Sequence, residues 1–437
     1  MHRALFGPAL STVLALVIAL GVPGRARAQE SVCPDQAALT GDMRLPLSAV
    51  RYLADDALEG RLAGTAGERC AGDYIAAEFE RLGLRPSGEG ATYFQSVPLA
   101  SILNPHAPGG TGRNVMGALE GAHPVRASEW VVIGAHYDHL GDGGGPNSLA
   151  PGTRAIHNGA DDNASGVAAM LSAAERLATG RRPARSILFV AFTGEESGLL
   201  GSAYFTANPS IAPGRIVAMI NLDMVGRLGA GPLIVYGVDT AEEWRDLLEP
   251  AAAGAGIQVA TRGEGYGPSD HTSFYLKDVP VLHLFTNTHA DYHKPTDDWD
   301  KVDAPGLARV SALVTDLAGR AADRSAGLTL VRGAGSPPRQ EGQAAVGYGA
   351  YLGSVPDFTP VDRGVKLSGV TPGSPADAAG LQAGDVILGI GDHDVSDLQA
   401  MTDALRAQKP GDTVTVRFAR ADQLETVAVT LGSRAAR

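Results

Sequence analysis

The sequence predicts an α/β domain with a buried, largely parallel sheet, followed by a separate small unit at the C-terminal end. Three observations carry this. At 437 residues the chain exceeds the ~250–300 at which a single core stops growing. Between Trp130 and Phe285 short apolar runs alternate with helical stretches, the pattern of strands buried on both faces. Beyond Arg332–Ala345, a stretch of Gly, Pro and Gln with linker composition, about 90 residues remain.

Taken in order, Met1-His2-Arg3 is a short basic start, Ala9–Val22 is almost wholly apolar, and Ala26-Arg27-Ala28 has the small-x-small form cut by signal peptidase. Residues 1–28 read as a cleaved signal peptide. The apolar run falls short of the ~20 residues that span a bilayer, so no stable membrane insertion is expected and the protein reads as exported, periplasmic or secreted. Export places Cys33 and Cys70, the two cysteines, where a disulfide persists. The net charge of −12 argues against nucleic acid and anionic membrane as partners, since both repel an acidic surface.

From Ser48 to Gln95 the chain reads as a helical segment, with apolar residues at helical spacing over Ala71–Leu82 and Gly83 placed to stop it. Strands follow at Trp130–Ala135, Ile187–Phe192, Ile216–Leu222, Leu233–Val238 and Val281–Phe285, with helices at Ala164–Ala178 and Ala241–Ala253 between them. A helix at about Pro305–Ala322 closes the domain. The expected organisation is 1–28 signal peptide, 29–325 first domain, 326–345 linker and 346–435 second domain.

Ligands of an α/β sheet gather at the carboxyl ends of its strands, and the residues there are mostly of metal-binding type. His136-Tyr137-Asp138-His139 follows the first run, Glu195-Glu196 the second and Asp223 the third. Gly159-Ala160-Asp161-Asp162 lies between, and Asp291-Tyr292-His293 lies downstream. Imidazole and carboxylate without thiolate suit zinc or a similar divalent ion, and a carboxylate can bridge a neighbouring pair. A Gly-rich stretch, Gly141–Gly152, reads as a mobile loop beside these groups.

With Leu58-Glu59-Gly60-Arg61, Gly64 to Gly67, Asn114 to Gly117, Gly159 to Gly166, Glu195 to Leu199, Asn221 to Met224 and Ser269-Asp270-His271 added, residues 45–325 resemble the two-zinc aminopeptidases of metallopeptidase family 28. The resemblance implies a zinc-exopeptidase fold, a mixed sheet flanked by helices. It implies two zinc ions per chain, His136 and Asp223 on one, Glu196 and His293 on the other, Asp162 bridging. Glu195 then resembles the general base acting on a zinc-bound water, Asp138 the carboxylate that orients a ligand imidazole, and Tyr266 a hydroxyl facing the tetrahedral oxyanion. Asp161 falls to a loop-shaping role.

From about Val346 to Leu431 the chain resembles a bacterial protease-type PDZ domain, a small β-rich fold. The residues are Tyr351-Leu352-Gly353, Ser374-Pro375-Ala376, Gly380-Leu381, Gly384-Asp385 and a helix over Leu398–Arg406. Such a domain takes a peptide or protein C-terminus as an added strand, yet Pro356 removes a donor from the pairing segment, so a structural cap stays open beside a binding role. The implied activity is release of N-terminal residues from peptide substrates. Two alternatives stand beside it: a zinc carboxypeptidase of the same fold, for which Arg61, Arg154 and Arg227 are the scattered cations available, and a non-catalytic peptide-binding adaptor.

Overall fold

The computed structural model describes Met1 and residues 33–35, 46–100, 109–334 and 350–432, apart from 146, 151, 212, 213, 358–360, 362, 372, 397 and 422. The proposed signal peptide and the linker stretch 335–349 lie outside the described residues. Among the described residues no helix is long and apolar enough to cross a membrane.

The first domain opens with helices α1 (Pro46–Leu53) and α2 (Ala66–Arg81). Thr65 caps α2 by accepting the Glu68 N–H, satisfying one of the unpaired donors of its first turn. Cys33 and Cys70 form a disulfide, which ties residues 33–35 to α2.

Nine strands make one sheet: β1 (Arg85–Pro86), β2 (Phe94–Pro98), β3 (Thr111–Leu119), β4 (Trp130–His136), β5 (Ser186–Phe192), β6 (Ile216–Leu222), β7 (Leu233–Tyr236), β8 (Val259–Thr261) and β9 (Val281–Phe285). Their order is β1-β3-β5-β4-β6-β9-β7-β8, with β2 beside β3. The predicted parallel pairing holds for the centre, β5-β4-β6-β9, and again between β7 and β8. β3 runs antiparallel to β5 and β7 antiparallel to β9, so the sheet is mixed, as the family resemblance implied.

Every residue of β4 and β5 is buried, because alternate side chains enter separate cores. Ile187, Phe189 and Ala191 join one core, shared with α3 (Gly166–Thr179), α5 (Trp244–Ala255) and α7 (Ala304–Asp323). Leu188, Val190 and Phe192 join the other, with Phe205 of α4 (Leu200–Ala207) and Phe274 of α6 (His271–Tyr275). This two-sided burial is why the strands read as continuous apolar runs.

Of the segment expected as linker, residues 329–334 bond to the first domain. Val331 N–H donates to Thr240, Tyr275 Oη donates to the Val331 carbonyl, and Gly265 N–H donates to Ala334. The C-terminal unit is an antiparallel sheet of β10 (Ser354–Asp357), β11 (Val365–Val370), β12 (Val386–Ile390), β13 (His393–Asp394), β14 (Thr413–Arg420) and β15 (Gln423–Thr430), with helices α8 (Pro375–Ala378) and α9 (Leu398–Arg406). It has its own core around Leu367, Ile387, Val416 and Phe418. Gly353, at φ +83, lies where a Cβ would meet that of Ser374 at 2.1 Å, so the Tyr351-Leu352-Gly353 loop packs against the start of α8 only with glycine there.

Candidate metal centre

The parallel quartet delivers four chemistry-bearing segments to one end of the sheet: His136 ends β4, Glu195 and Glu196 follow β5, Asp223 follows β6, and His293 lies in the loop after β9. Asp162 comes from the β4 to α3 connection. Its Oδ1 is 3.3 Å from His136 Nε2 and its Oδ2 is 3.1 Å from His293 Nε2. His136 Nε2 is also 3.4 Å from Asp223 Oδ1, and His293 Nε2 is 3.3 Å from Glu196 Oε2. The five residues therefore form two donor sets that share Asp162.

His139, which the sequence reading left outside the ligand set, is fully buried beside the second set. Its Nδ1 lies 2.7 Å from Glu196 Oε1, yet neither atom is oriented for a hydrogen bond to the other. Both form a donor group with Asp162. Its position three residues after His136 at a strand end was the signal available.

Three of the donor-bearing segments are held from behind. Ser269 Oγ donates to Asp223 Oδ2 at 2.7 Å, leaving Oδ1 toward His136. His293 Nδ1 is 2.8 Å from the Asn147 carbonyl, and Asn147 Nδ2 donates to the Glu196 carbonyl at 2.6 Å. The Leu149 N–H reaches the His293 carbonyl at 2.9 Å. The Gly-rich loop expected to be mobile is thus tied to the site by Asn147 and Leu149. Asp161 accepts from Gly226 N–H at 2.6 Å and from Ser165 Oγ at 2.9 Å, the bonds of a loop-shaping residue.

Asp138 differs from its expected geometry. Its carboxylate is 3.8 Å from His136 Nδ1, while its main-chain carbonyl is 3.2 Å away. The carboxylate instead accepts the main-chain N–H of Glu195 at 3.1 Å. Tyr266 lines the same cavity as Glu195 and leans its ring on Tyr275, centroids 4.7 Å apart. Arg61 is fully buried, its guanidinium spent on the carbonyls of Leu53, Tyr137, Asn158 and Gly159. Arg154 pairs with Asp142 at 2.6 Å and Arg227 with Asp297 at 3.0 Å.

Crowding of charge without water governs the protonation states. Burial alone would lower His136, but Glu195 and Asp223 outweigh it and hold the imidazole well above its usual range. Burial likewise opposes protonation of His293, which Glu196 and Asp162 raise. Burial would raise Asp162, yet bonds to both imidazoles hold it well below the carboxylate range. Glu196 is lowered to about 2, burial being overcome by His293. Burial pushes Glu195 well up and Asp138 to about 8. Glu195 therefore holds a proton more readily than Glu196 beside it.

The donor set fits divalent metal. It offers imidazole and carboxylate only, and Asp138 Oδ2, Glu196 Oε1 and both His139 nitrogens are buried without hydrogen-bond partners, an arrangement that a cation relieves.

Comparison with known proteins agrees. A model of peptidase family M28 matches residues 114–318 and a PDZ domain model matches 352–431. The chain is 26% identical over 352 residues to leupeptin-inactivating enzyme 1 of Streptomyces exfoliatus, covering 77% of this chain and 71% of that protein. It is 30% identical over 205 residues to a probable leucine aminopeptidase of Arthroderma otae, covering 45% of this chain and 55% of that one, about half its length. A Zn-dependent exopeptidase from Parabacteroides distasonis shares the fold, with a TM-score of 0.52 at 21% identity over 65% of this chain and 98% of that chain. Residues 114–318 thus form a peptidase family M28 domain and residues 352–431 a PDZ domain.

Proposed function

We propose that this protein is an exported metallo-aminopeptidase that binds two zinc ions and removes N-terminal residues from peptides. His136 and Asp223 hold one ion, Glu196 and His293 the other, and Asp162 bridges them, with His139 packed behind Glu196. The observation that carries this is the pair of Asp162 oxygens at 3.3 and 3.1 Å from the two imidazoles, since separate oxygens facing separate sites suit a bridging carboxylate. Zinc when bound supplies a Lewis acid that polarises the scissile carbonyl and acidifies water.

Glu195 takes the proton of the attacking water and returns it to the departing amine. Burial supports this role by raising its affinity for that proton. Asp138 fixes the peptide group that carries Glu195, and Tyr266 faces the cavity where the oxyanion develops. Arg61, Arg154 and Arg227 are engaged elsewhere, so none of these three serves as the carboxylate anchor a carboxypeptidase would need. The Cys33–Cys70 disulfide supports an oxidising compartment, periplasmic or extracellular.

A panel of aminoacyl chromogenic substrates, with a chelated control and a Glu195→Ala variant, tests the reading. Activity restored by zinc and lost by at least about 10²-fold in the variant supports it. Retained activity in Glu195→Ala removes the assigned base, and no activity on any substrate with zinc loaded removes the enzyme reading.

A further inference from the structure

The cavity that holds Glu195 and the shared Asp162 does not end in the peptidase domain. Pro356 of β10, Val365 at the start of β11, and Thr402 and Arg406 of α9 line the same space of about 400 Å³. Two hydrogen bonds fix this second wall. Thr288 Oγ1 donates to the Pro356 carbonyl at 2.9 Å, and Arg262 Nη1 donates to the Val361 carbonyl at 3.0 Å. Pro356 therefore contributes an acceptor to the peptidase domain from the edge strand that a PDZ ligand would join.

Charge is distributed unevenly along this space. Asp162, Glu195, Glu196 and Asp223 cluster around His136 and His293 on the peptidase wall. Outside that group and its histidines, the charged lining residues are Arg262, Glu264 and Arg406. Arg262 already spends one nitrogen on Val361. The Arg406 side chain keeps 52% of its surface exposed, with the Asp403 carboxylate one turn away at 3.8 Å, beyond hydrogen-bond length.

We propose that the PDZ wall is the second half of the substrate site, and that Arg406 receives the C-terminal carboxylate of short peptides whose amino end lies at the acid cluster. This rests on the aminopeptidase reading. A free peptide carries a positive amino end and a negative carboxyl end, and the cavity offers the opposite charge to each. A guanidinium meets a carboxylate through paired N–H donors. A volume of about 400 Å³ lies low in the ~300–1,000 Å³ range of ligand pockets, so the site takes a few residues rather than a folded chain. The PDZ domain then selects substrates by peptide length.

The test uses the full chain loaded with zinc and a series of Leu-(Gly)n peptides, each as free acid and as C-terminal amide. At the lengths that bridge the cavity, kcat/KM for the acid exceeds that for the amide by about tenfold or more. Arg406→Ala abolishes the preference, Arg406→Lys keeps only part of it because an ammonium lacks the paired donors, and Arg406→Glu turns it toward the amide. Equilibrium binding of the same pairs to the Glu195→Gln variant gives the same ordering without turnover. A wild-type preference below about twofold at every length, or one that survives in Arg406→Ala, overturns the proposal. Turnover of aminoacyl anilides by the wild type, which have no carboxylate, reads the aminopeptidase assignment separately.

Discussion

The carboxylate of Asp138 accepts the main-chain N–H of Glu195 at 3.1 Å, so the end of β4 sets the position of the proposed base after β5. Asp138→Ala should lower kcat by about 10–100-fold while zinc content and KM change little, because the lost bond orients a catalytic group rather than holding metal. Steady-state kinetics beside metal analysis checks it. Full kcat in the variant would remove the positioning role.

Asp162 is the residue common to both donor sets. Asp162→Ala should therefore strip both metals together, whereas His136→Ala should remove only the one held with Asp223. Atomic absorption on dialysed protein reads the difference. Equal stoichiometry in the two variants contradicts a bridge.

Without metal, His136 and His293 hold their protons above the usual imidazole range. Zinc needs the neutral ring, so uptake at pH 7 should release protons and the apparent affinity should fall as pH falls. Calorimetry in buffers of different ionisation enthalpy measures the release. Uptake that exchanges no protons would contradict the charge arrangement.

His271 and His283 stack with centroids 4.5 Å apart, and burial keeps both deprotonated, His283 down to about 4. Their folded values lie below the unfolded 6.5. Stability is therefore unaffected above pH 6.5 and is lost as pH falls toward 4, at about 1.4 kcal/mol per pH unit for each ring. The stability advantage of wild type over His283→Gln, from denaturant unfolding of chelated protein, should shrink at that rate. A difference constant between pH 7 and 5 would sink it.

Arg61 satisfies four main-chain carbonyls in the dry interior, where burial lowers it to about 10. Arg61→Met leaves buried acceptors unpaired at about 1–3 kcal/mol each. A loss of about 3 kcal/mol lowers Tm by roughly 6–12 °C in a domain of this size. Differential scanning calorimetry checks it, and an unchanged Tm would show that water replaces the guanidinium.

The central strands were legible because burial on both faces writes itself as continuous apolar sequence. Strand β3 was not read as one, since Arg113, Asn114 and two glycines interrupt its apolar residues and its antiparallel place at the flank follows from pairing with β1, β2 and β5. The PDZ unit was legible from its glycines and the α8 turn, where local backbone geometry dictates residue type.

The sequence by itself determined the inventory: metal-binding residues at the ends of successive strands, in an order that matches one family, and a second domain with its own signature. These are local properties, since a residue's type and its place after a strand need no distant partner. The tertiary structure decided what holds that inventory in register. Asn147 reaches His293 across 146 residues, Arg61 reaches Gly159 across 98, and Thr288 meets Pro356 across 68. Such contacts fill one hydrogen-bonding valence among many equivalent candidates. Only the packed chain brings a particular donor and acceptor within 3 Å, and so only it places Arg406 on the cavity that contains Glu195.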